Sequence, residues 1–326
     1  MPTPLVDVTG LGENAVDIVL RLRQFPAPDG KVEIHSVTTR LGGQIATALA
    51  AIRMWGLKVR YIGSAGDDSS AELHAKEFAR LGAEVHLRTV RHTPSRLSYI
   101  LVNEASATRG VLWRRDRKLL LRPSDLKKEW IVRSKLLLID GENPLASQRA
   151  AQWARSAGTS VVCDFDTATT DADMLLHDVD YPVLSSALTQ YLAESPDYLT
   201  ALPLLMQRYK SRLICTTLSE QGALAWDGES FWYAPAYRVH AVDTTGAGDL
   251  FHAGFTFGLL QGWGWQRIMH FACAAAGLNC TAQGARGRIG SVRTIEALSR
   301  SRSRNLPLYS ARELKRAAEH ARHLRS

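Results

Sequence analysis

Cysteine is scarce in this chain of 326 residues, and its four copies lie apart: Cys163, Cys215, Cys273 and Cys280 show no C-x-x-C spacing. Each sits in an apolar run where a reduced, buried thiol is the default, which excludes a disulfide framework and points to a cytosolic chain. Long hydrophobic runs are missing as well. The richest apolar stretch, residues 271–278, falls far short of the roughly 18–20 residues that span a bilayer, so no membrane partner is expected. The first eight residues lack a basic segment followed by an apolar block, so no signal peptide is expected either. There is no internal repeat, no low-complexity tract beyond the linker-like 300–304, and no G-x-x-x-x-G-K-[ST] loop.

What remains is an ordinary globular composition, 45% hydrophobic and 22% charged, which excludes disordered, collagen-like and coiled-coil chains. The net charge of +8 is concentrated at one end. From residue 300 onward, eight basic residues face only Glu313 and Glu319, so the tail carries +6 and the preceding 299 residues only +2. A chain that is nearly neutral over its body is not expected to bind nucleic acid. The tail is expected to be solvated and partly helical.

Short apolar runs alternate with helical periods. Strands are expected at 5–11, 59–62, 85–88, 136–139, 160–165 and 213–217. Helices are expected at 46–55, 70–81, 144–157 and 197–209. This alternation predicts an α/β domain whose parallel sheet is covered on both faces, with ligands at the C-terminal strand ends. Around 17–39 and 97–115 the period is two, with no helix between. Two such insertions would make one small sheet if they came together.

The most informative stretch is Val242 to Phe255. Gly246, Ala247 and Gly248 let the backbone approach a ligand closely, and the apolar helix that follows would aim its first N–H groups into the turn. A helix N-terminus of this kind attracts anions. Asp249 at its mouth reads equally as an N-cap and as a carboxylate that deprotonates an attacking hydroxyl beside a phosphate.

Asp243, Thr244, Thr245, Gly246, Ala247, Gly248 and Asp249, followed by Phe251 and Gly254, resemble the C-terminal signature of the PfkB-type carbohydrate kinases, the ribokinase-like family. Gly42, Gly43, Ala46 and Thr47, running on to Gly63, Gly66, Asp67 and Asp68, resemble its N-terminal signature. The resemblance covers approximately residues 5–299. It implies a ribokinase-like three-layer α/β fold with a mostly parallel central sheet and a small β-sheet lid from about 15–40 and 95–118. One kinase domain would then occupy 1–299, with a basic extension at 300–326. The implied activity is ATP-dependent phosphorylation of a sugar hydroxyl.

Residue by residue, the resemblance makes Asp249 the catalytic base and the amides of Gly246, Ala247 and Gly248 the anion hole. It places Asp17, Gly42, Gly43, Thr47 and Glu142 at the sugar. It places Thr217, Ser219, Gly222, Thr245 and the small-residue helix containing Cys273 at the nucleotide. Asp243, Thr245 and Ser291 would offer backbone carbonyls to a monovalent cation such as K⁺, and Mg²⁺ would accompany ATP. A homodimer through the lid is implied as well.

Several positions depart from the pattern. Thr47 stands where the family usually has asparagine, which is more similar to the branch containing sulfofructose kinase. The segment Gly284, Ala285, Arg286, Gly287 leans the same way. Glu142 stands where that branch has its cleft arginine, so no anionic sugar is assigned, and Arg286 or Arg288 reads equally as a solvated loop charge. The N-x-x-E motif that organises magnesium-bound water reads Ser185, Ser186, Ala187, Leu188, without a carboxylate, and Ser219 replaces a glycine. Three readings therefore stay open: a sugar kinase, a nucleoside kinase, and a non-catalytic sugar- or nucleotide-binding homologue.

Overall fold

Two kinds of strand divide the molecule, those followed by helices and those followed directly by another strand. In the computed structural model, which describes residues 5–106, 108–167 and 170–323, the chain begins with β1 (Val6–Leu11), β2 (Ala15–Leu22), β3 (Ile34–Gly42), α1 (Gln44–Met54) and β4 (Val59–Ala65). It continues through α2 (Ser69–Leu81), β5 (Glu84–Thr89), β6 (Leu97–Asn103), β7 (Thr108–Arg114), α3 (Lys128–Val132) and β8 (Ser134–Asp140). Then come α4 (Pro144–Ser156), β9 (Ser160–Phe165), α5 (Thr170–Leu176), β10 (Tyr181–Ser185), α6 (Ser186–Ala193), α7 (Tyr198–Tyr209) and β11 (Ile214–Thr217). The hairpin of β12 (Ala223–Trp226) and β13 (Phe231–Ala234) leads to α8 (Ala247–Leu260), α9 (Trp265–Asn279), α10 (Val292–Arg300) and α11 (Ala311–His323).

The large sheet has nine strands in the order β13-β12-β11-β10-β9-β8-β1-β4-β5. Its strands pair in parallel except at the β11-β12-β13 edge, where the hairpin is antiparallel. Strands buried on both faces read as near-continuous apolar runs, as in Leu136, Leu137, Leu138 and Ile139, none more than 2% exposed. One face is covered by α1, α8, α9 and α10, the other by α4, α5, α6, α7 and α11. The three-layer α/β architecture is thus the one expected. The two period-2 insertions do meet, in a separate four-stranded sheet ordered β3-β2-β6-β7, with β2 and β6 running parallel.

α1 and α8 are buried along most of their length, so neither shows a polar stripe. α8 lies close against α9: a Cβ on Gly254 would come within 2.8 Å of Ala272 Cα. The small residues of α9 therefore serve helix packing directly. The tail departs from expectation in part. It is helical over α11 and most of its side chains are exposed, as expected, but Ala318 and Ala321 are buried in the layer that contains α7 and dock the helix there. Its charge count concealed an apolar face of alanines.

Candidate active site

The C-terminal ends of β1, β8 and β9 open into a cleft of about 740 Å³ beneath the small sheet. Its lining includes Glu13, Arg96, Ser98, Trp113, Arg115, Glu142 and Asp166. Placement at strand ends follows from the parallel sheet, whose βα turns all lie on that side.

α8 begins close to these strand ends, since the charges of Asp140 and Asp166 act on Asp249 in its first turn. Gly246 is its N-cap in the left-handed region, φ 76°, and no side chain caps the helix. A Cβ at Gly246 would lie 2.1 Å from Ala285 O, so only glycine lets the turn approach the 284–287 loop so closely. The Ala247 amide already donates to Thr244 O at 3.2 Å. Of the three amides expected at an anion, that of Ala247 thus has a partner inside the turn. Because a side chain can cap only from the preceding turn, glycine here leaves the positive helix end open to an outside anion.

Asp249 lies in the first turn of α8. Burial raises its carboxyl to about 7, with the charges of Asp166, Asp17 and Asp140 adding to the effect and Arg286 opposing it. Asp17, on β2, is buried beside Ser98 and faces the same region. Burial raises its carboxyl too, against a hydrogen bond from Ser98 and the charge of Arg286. Gly42 is needed at the neighbouring position of β3, since a Cβ there would lie 2.4 Å from Asp17 Oδ2. Gly43 caps the N-terminus of α1, and Thr47 lies one turn on, fully buried.

Arg286 is the larger surprise. It is not a solvated loop charge: its Nε donates a long 3.4 Å bond to Thr47 Oγ1, and its two terminal nitrogens are buried without a hydrogen-bond partner. Burial pulls its guanidinium down to about 10. Arg288, by contrast, is exposed. Glu142 does line the cleft, but its carboxylate is in close ion pairing with Arg115, which follows β7. It ties the small sheet to the body instead of standing free.

Several groups were missed because they carry no motif. Asp140 ends β8, fully buried; its oxygens accept the Glu13 and Glu142 amides at 2.6 and 3.0 Å. Burial raises both Asp140 and Glu13 to about 7. Asp164, in β9, accepts from Gln44 Nε2 at 3.2 Å and lies 3.1 Å from His252 Nδ1. His252 is one turn beyond Asp249 in α8; its Nδ1 also lies 2.7 Å from Gly248 O, and burial lowers its pKa. Asp166 stands at the end of β9 with an exposed carboxylate whose Oδ1 accepts from Thr167 Oγ1. Position in a parallel sheet, not residue pattern, would have found these.

On the other side of α8, Asp243 Oδ1 accepts from the Thr245 amide and hydroxyl at 2.8 and 2.7 Å, and its Oδ2 accepts from the Gly284 amide. Asn279 Nδ2 donates to both Thr245 O and Ala285 O. A cation at the Thr245 carbonyl would therefore share it with an amide. Ser291 caps α10, its hydroxyl accepting from the Thr294 amide. Thr217 ends β11, Ser219 opens the turn that follows it, and Gly222 closes that turn with its carbonyl accepting from Leu218. Cys273 lies buried in α9, its thiol directed at Ala234 O 3.6 Å away and pushed up to about 12 by burial. Among the described residues no helix is long and apolar enough to cross a membrane, and no group of three or more His, Cys, Asp or Glu could hold a metal ion.

The chain matches the profile of the pfkB family carbohydrate kinases over residues 6–289. It is 25% identical over 287 residues to an ATP-dependent ribose-1-phosphate kinase of Halopiger xanaduensis, covering 86% of this chain and 94% of that protein. It is 27% identical over 292 residues to the ribokinase of Haemophilus influenzae, again covering 86% and 94%. Among solved structures it resembles the ribokinase of Thermotoga maritima with a TM-score of 0.79 at 20% identity, covering 91% of this chain and all of that one.

Proposed function

This chain belongs to the pfkB family of carbohydrate kinases, and from that membership we propose that it transfers the γ-phosphoryl group of ATP to a hydroxyl of a sugar or sugar derivative. The observation that carries the proposal is the uncapped N-terminus of α8 with Asp249 in its first turn, close enough to Asp166, Asp17 and Asp140 for their charges to act on it. Asp249 takes the proton of the sugar hydroxyl as its oxygen attacks the γ-phosphorus in line, and ADP leaves. The amides of Gly246 and Gly248 meet the charge that develops on the transferred group. Asp17, Gly42, Gly43 and Thr47 hold the sugar. Arg286, with two buried nitrogens unspent, supplies donors on the same side. Glu142 acts through Arg115, holding the small sheet down as a lid that excludes water. Thr217, Ser219, Gly222, Thr245 and the helix of Cys273 make up the nucleotide side.

Mg²⁺ bound to ATP neutralises phosphate charge. The residues fit such a guest in a limited way, as Leu188 is buried where a carboxylate would organise magnesium-bound water, while Asp166 and Asp171 put exposed carboxylates at the rim, Asp166 directly at the end of β9. Ser185 Oγ donates to Asp166 O at 2.8 Å, fixing the two strand ends beside each other. Mg²⁺ needs only one or two protein carboxylates when phosphates supply the rest. Asp166→Asn is expected to raise the Mg²⁺ concentration for half-maximal activity several-fold with an unchanged KM for sugar. A magnesium titration that superimposes on the wild type would remove Asp166 from this role. A K⁺ ion on the carbonyls of Asp243, Thr245 and Ser291 remains part of the proposal, and no step depends on it.

The outer face of the small sheet leaves Val37, Tyr99 and Leu112 exposed at 57%, 41% and 60%. A second copy would cover this apolar strip, giving a homodimer through the lid. Sedimentation is expected to give twice the 36.0 kDa chain mass, and a monomer at micromolar concentration would exclude that arrangement.

The proposed activity is tested by ADP release in a coupled assay over pentoses, hexoses, sugar acids, sugar phosphates and nucleosides. Sugar-dependent release is expected. Nucleotide binding without release across the panel would mark a binding protein, and release with nucleosides alone a nucleoside kinase.

A further inference from the structure

The chain beyond the family match does not run out into solvent. After α10 it runs antiparallel to residues 236–238, the segment that follows β13 at the edge of the large sheet. The Arg238 amide donates to Ser303 O at 3.0 Å and the Asn305 amide to Ala236 O at 2.9 Å. Arg304 forms an isolated antiparallel bridge with Tyr237, and its guanidinium lies 5.5 Å from that ring's centroid. Beyond this stretch α11 docks through Ala318 and Ala321, so the segment is anchored at both ends.

Two bonds reach from this strap to the turn at Ser219–Gln221. Asn305 Nδ2 donates to Glu220 O at 2.7 Å. The Tyr233 hydroxyl donates to Gln221 O at 2.6 Å and accepts the Leu308 amide at 2.9 Å. Successive carbonyls of one short turn are thus tied to the strap, one directly and one through a tyrosine. The turn has reason to need holding, because Ser219 sits at φ 52°, in the left-handed region that residues with a Cβ seldom adopt. Such a conformation persists only where its surroundings over-determine it.

We propose that residues 303–308 are a positioning strap for the nucleotide turn, with Asn305 as its principal positioning residue. The strap holds the serine-containing turn in the shape that receives ATP. This rests on the reading of residues 217–222 as the nucleotide turn, given under Proposed function. The strap touches the outer side of the turn through backbone carbonyls, so it acts on the nucleotide through shape.

The test uses the full chain and Mg-ADP as probe, with affinity read by calorimetry in a double-mutant cycle of Asn305→Ala and Ser219→Gly. Losing one neutral hydrogen bond that holds the turn is expected to weaken Mg-ADP binding by about two- to tenfold. With glycine at position 219 the left-handed conformation needs no external support, so the same Asn305→Ala change is expected to cost much less. Tyr233→Phe cuts the second link and is expected to weaken binding in the same direction, which keeps the test open if Asn305→Ala fails to fold. Unchanged affinity in both single variants overturns the strap. Equal losses from Asn305→Ala in the wild-type and Ser219→Gly backgrounds overturn it too, since a general loss of stability would not distinguish them. A wild-type chain that binds no Mg-ADP overturns the nucleotide reading itself, a result distinct from either of these.

Discussion

Asp249→Asn is expected to lower turnover by about 10²–10⁴-fold, the usual range for losing a positioned general base, while sugar affinity stays near that of the wild type. The amide keeps the shape and hydrogen-bonding reach of the carboxylate but cannot accept a proton from the hydroxyl. The environment of Asp249 makes the effect visible in pH as well. Burial and the neighbouring carboxylates of Asp166, Asp17 and Asp140 raise it to about 7, and Arg286 moderates the shift. A raised pKa means that the carboxyl is protonated, and idle as a base, below about pH 7. In the wild type kcat/KM is expected to fall about tenfold per unit below that value, as for any single essential base in the free enzyme. The residual activity of Asp249→Asn should lose this limb. Full turnover in the variant, or a profile with the same limb in both proteins, would take the proton transfer away from Asp249.

The raised value has a second meaning. A carboxylate at its ordinary pKa would be a weak acceptor for an alcohol proton, so desolvation in this site works in the direction the chemistry needs. The same surroundings contain Asp164, Asp140 and Glu13, all raised by burial. Of these acids only Asp249 stands in the first turn of α8, beside the open amides. Position at the helix mouth, more than acidity, singles it out.

Much of this was legible in the sequence, and the reason differs from element to element. The three-layer arrangement follows from alternation of strand and helix periods, which neighbouring residues carry locally. The turn at 246–248 was legible because small residues next to an apolar helix leave little choice of conformation. β10 was not, since five residues with Pro182 at the second position give no periodicity to read. Arg286 and Asp166 were not, because a lone charge in a loop looks the same whether it is solvated or turned inward. Glu142 was placed in the cleft correctly, but its partner Arg115 lies 27 residues upstream in another sheet, and only the fold joins them. The C-terminal segment misled for a related reason. Counting charge over residues 300–326 hides that Ala318 and Ala321, three apart, share one face of a helix.

Gly246→Ala is expected to reduce turnover by about 10²–10³-fold, the cost of losing an oxyanion donor, although alanine adds one methyl group and no charge. That methyl would have to sit 2.1 Å from Ala285 O, and Ala285 is itself held, since its carbonyl accepts from Asn279 Nδ2 at 3.1 Å. The turn must therefore give way. The left-handed φ of 76° adds about 1–2 kcal/mol of strain for any residue with a Cβ. Relief on either count swings the peptide away, and with it the amides of 246 and 248 proposed to meet the transferred phosphoryl group. Gly248→Ala is the matched control: a Cβ there meets nothing within 4 Å, and its φ is not positive. Alanine at 248 is expected to keep turnover within about tenfold of wild type, well short of the full loss of such a donor. Steady-state rates for the two variants, with Mg-ADP affinity measured alongside, separate a displaced anion hole from a lost nucleotide site. Equal rates in the two would mean that the close approach of Gly246 to Ala285 does not aim these amides.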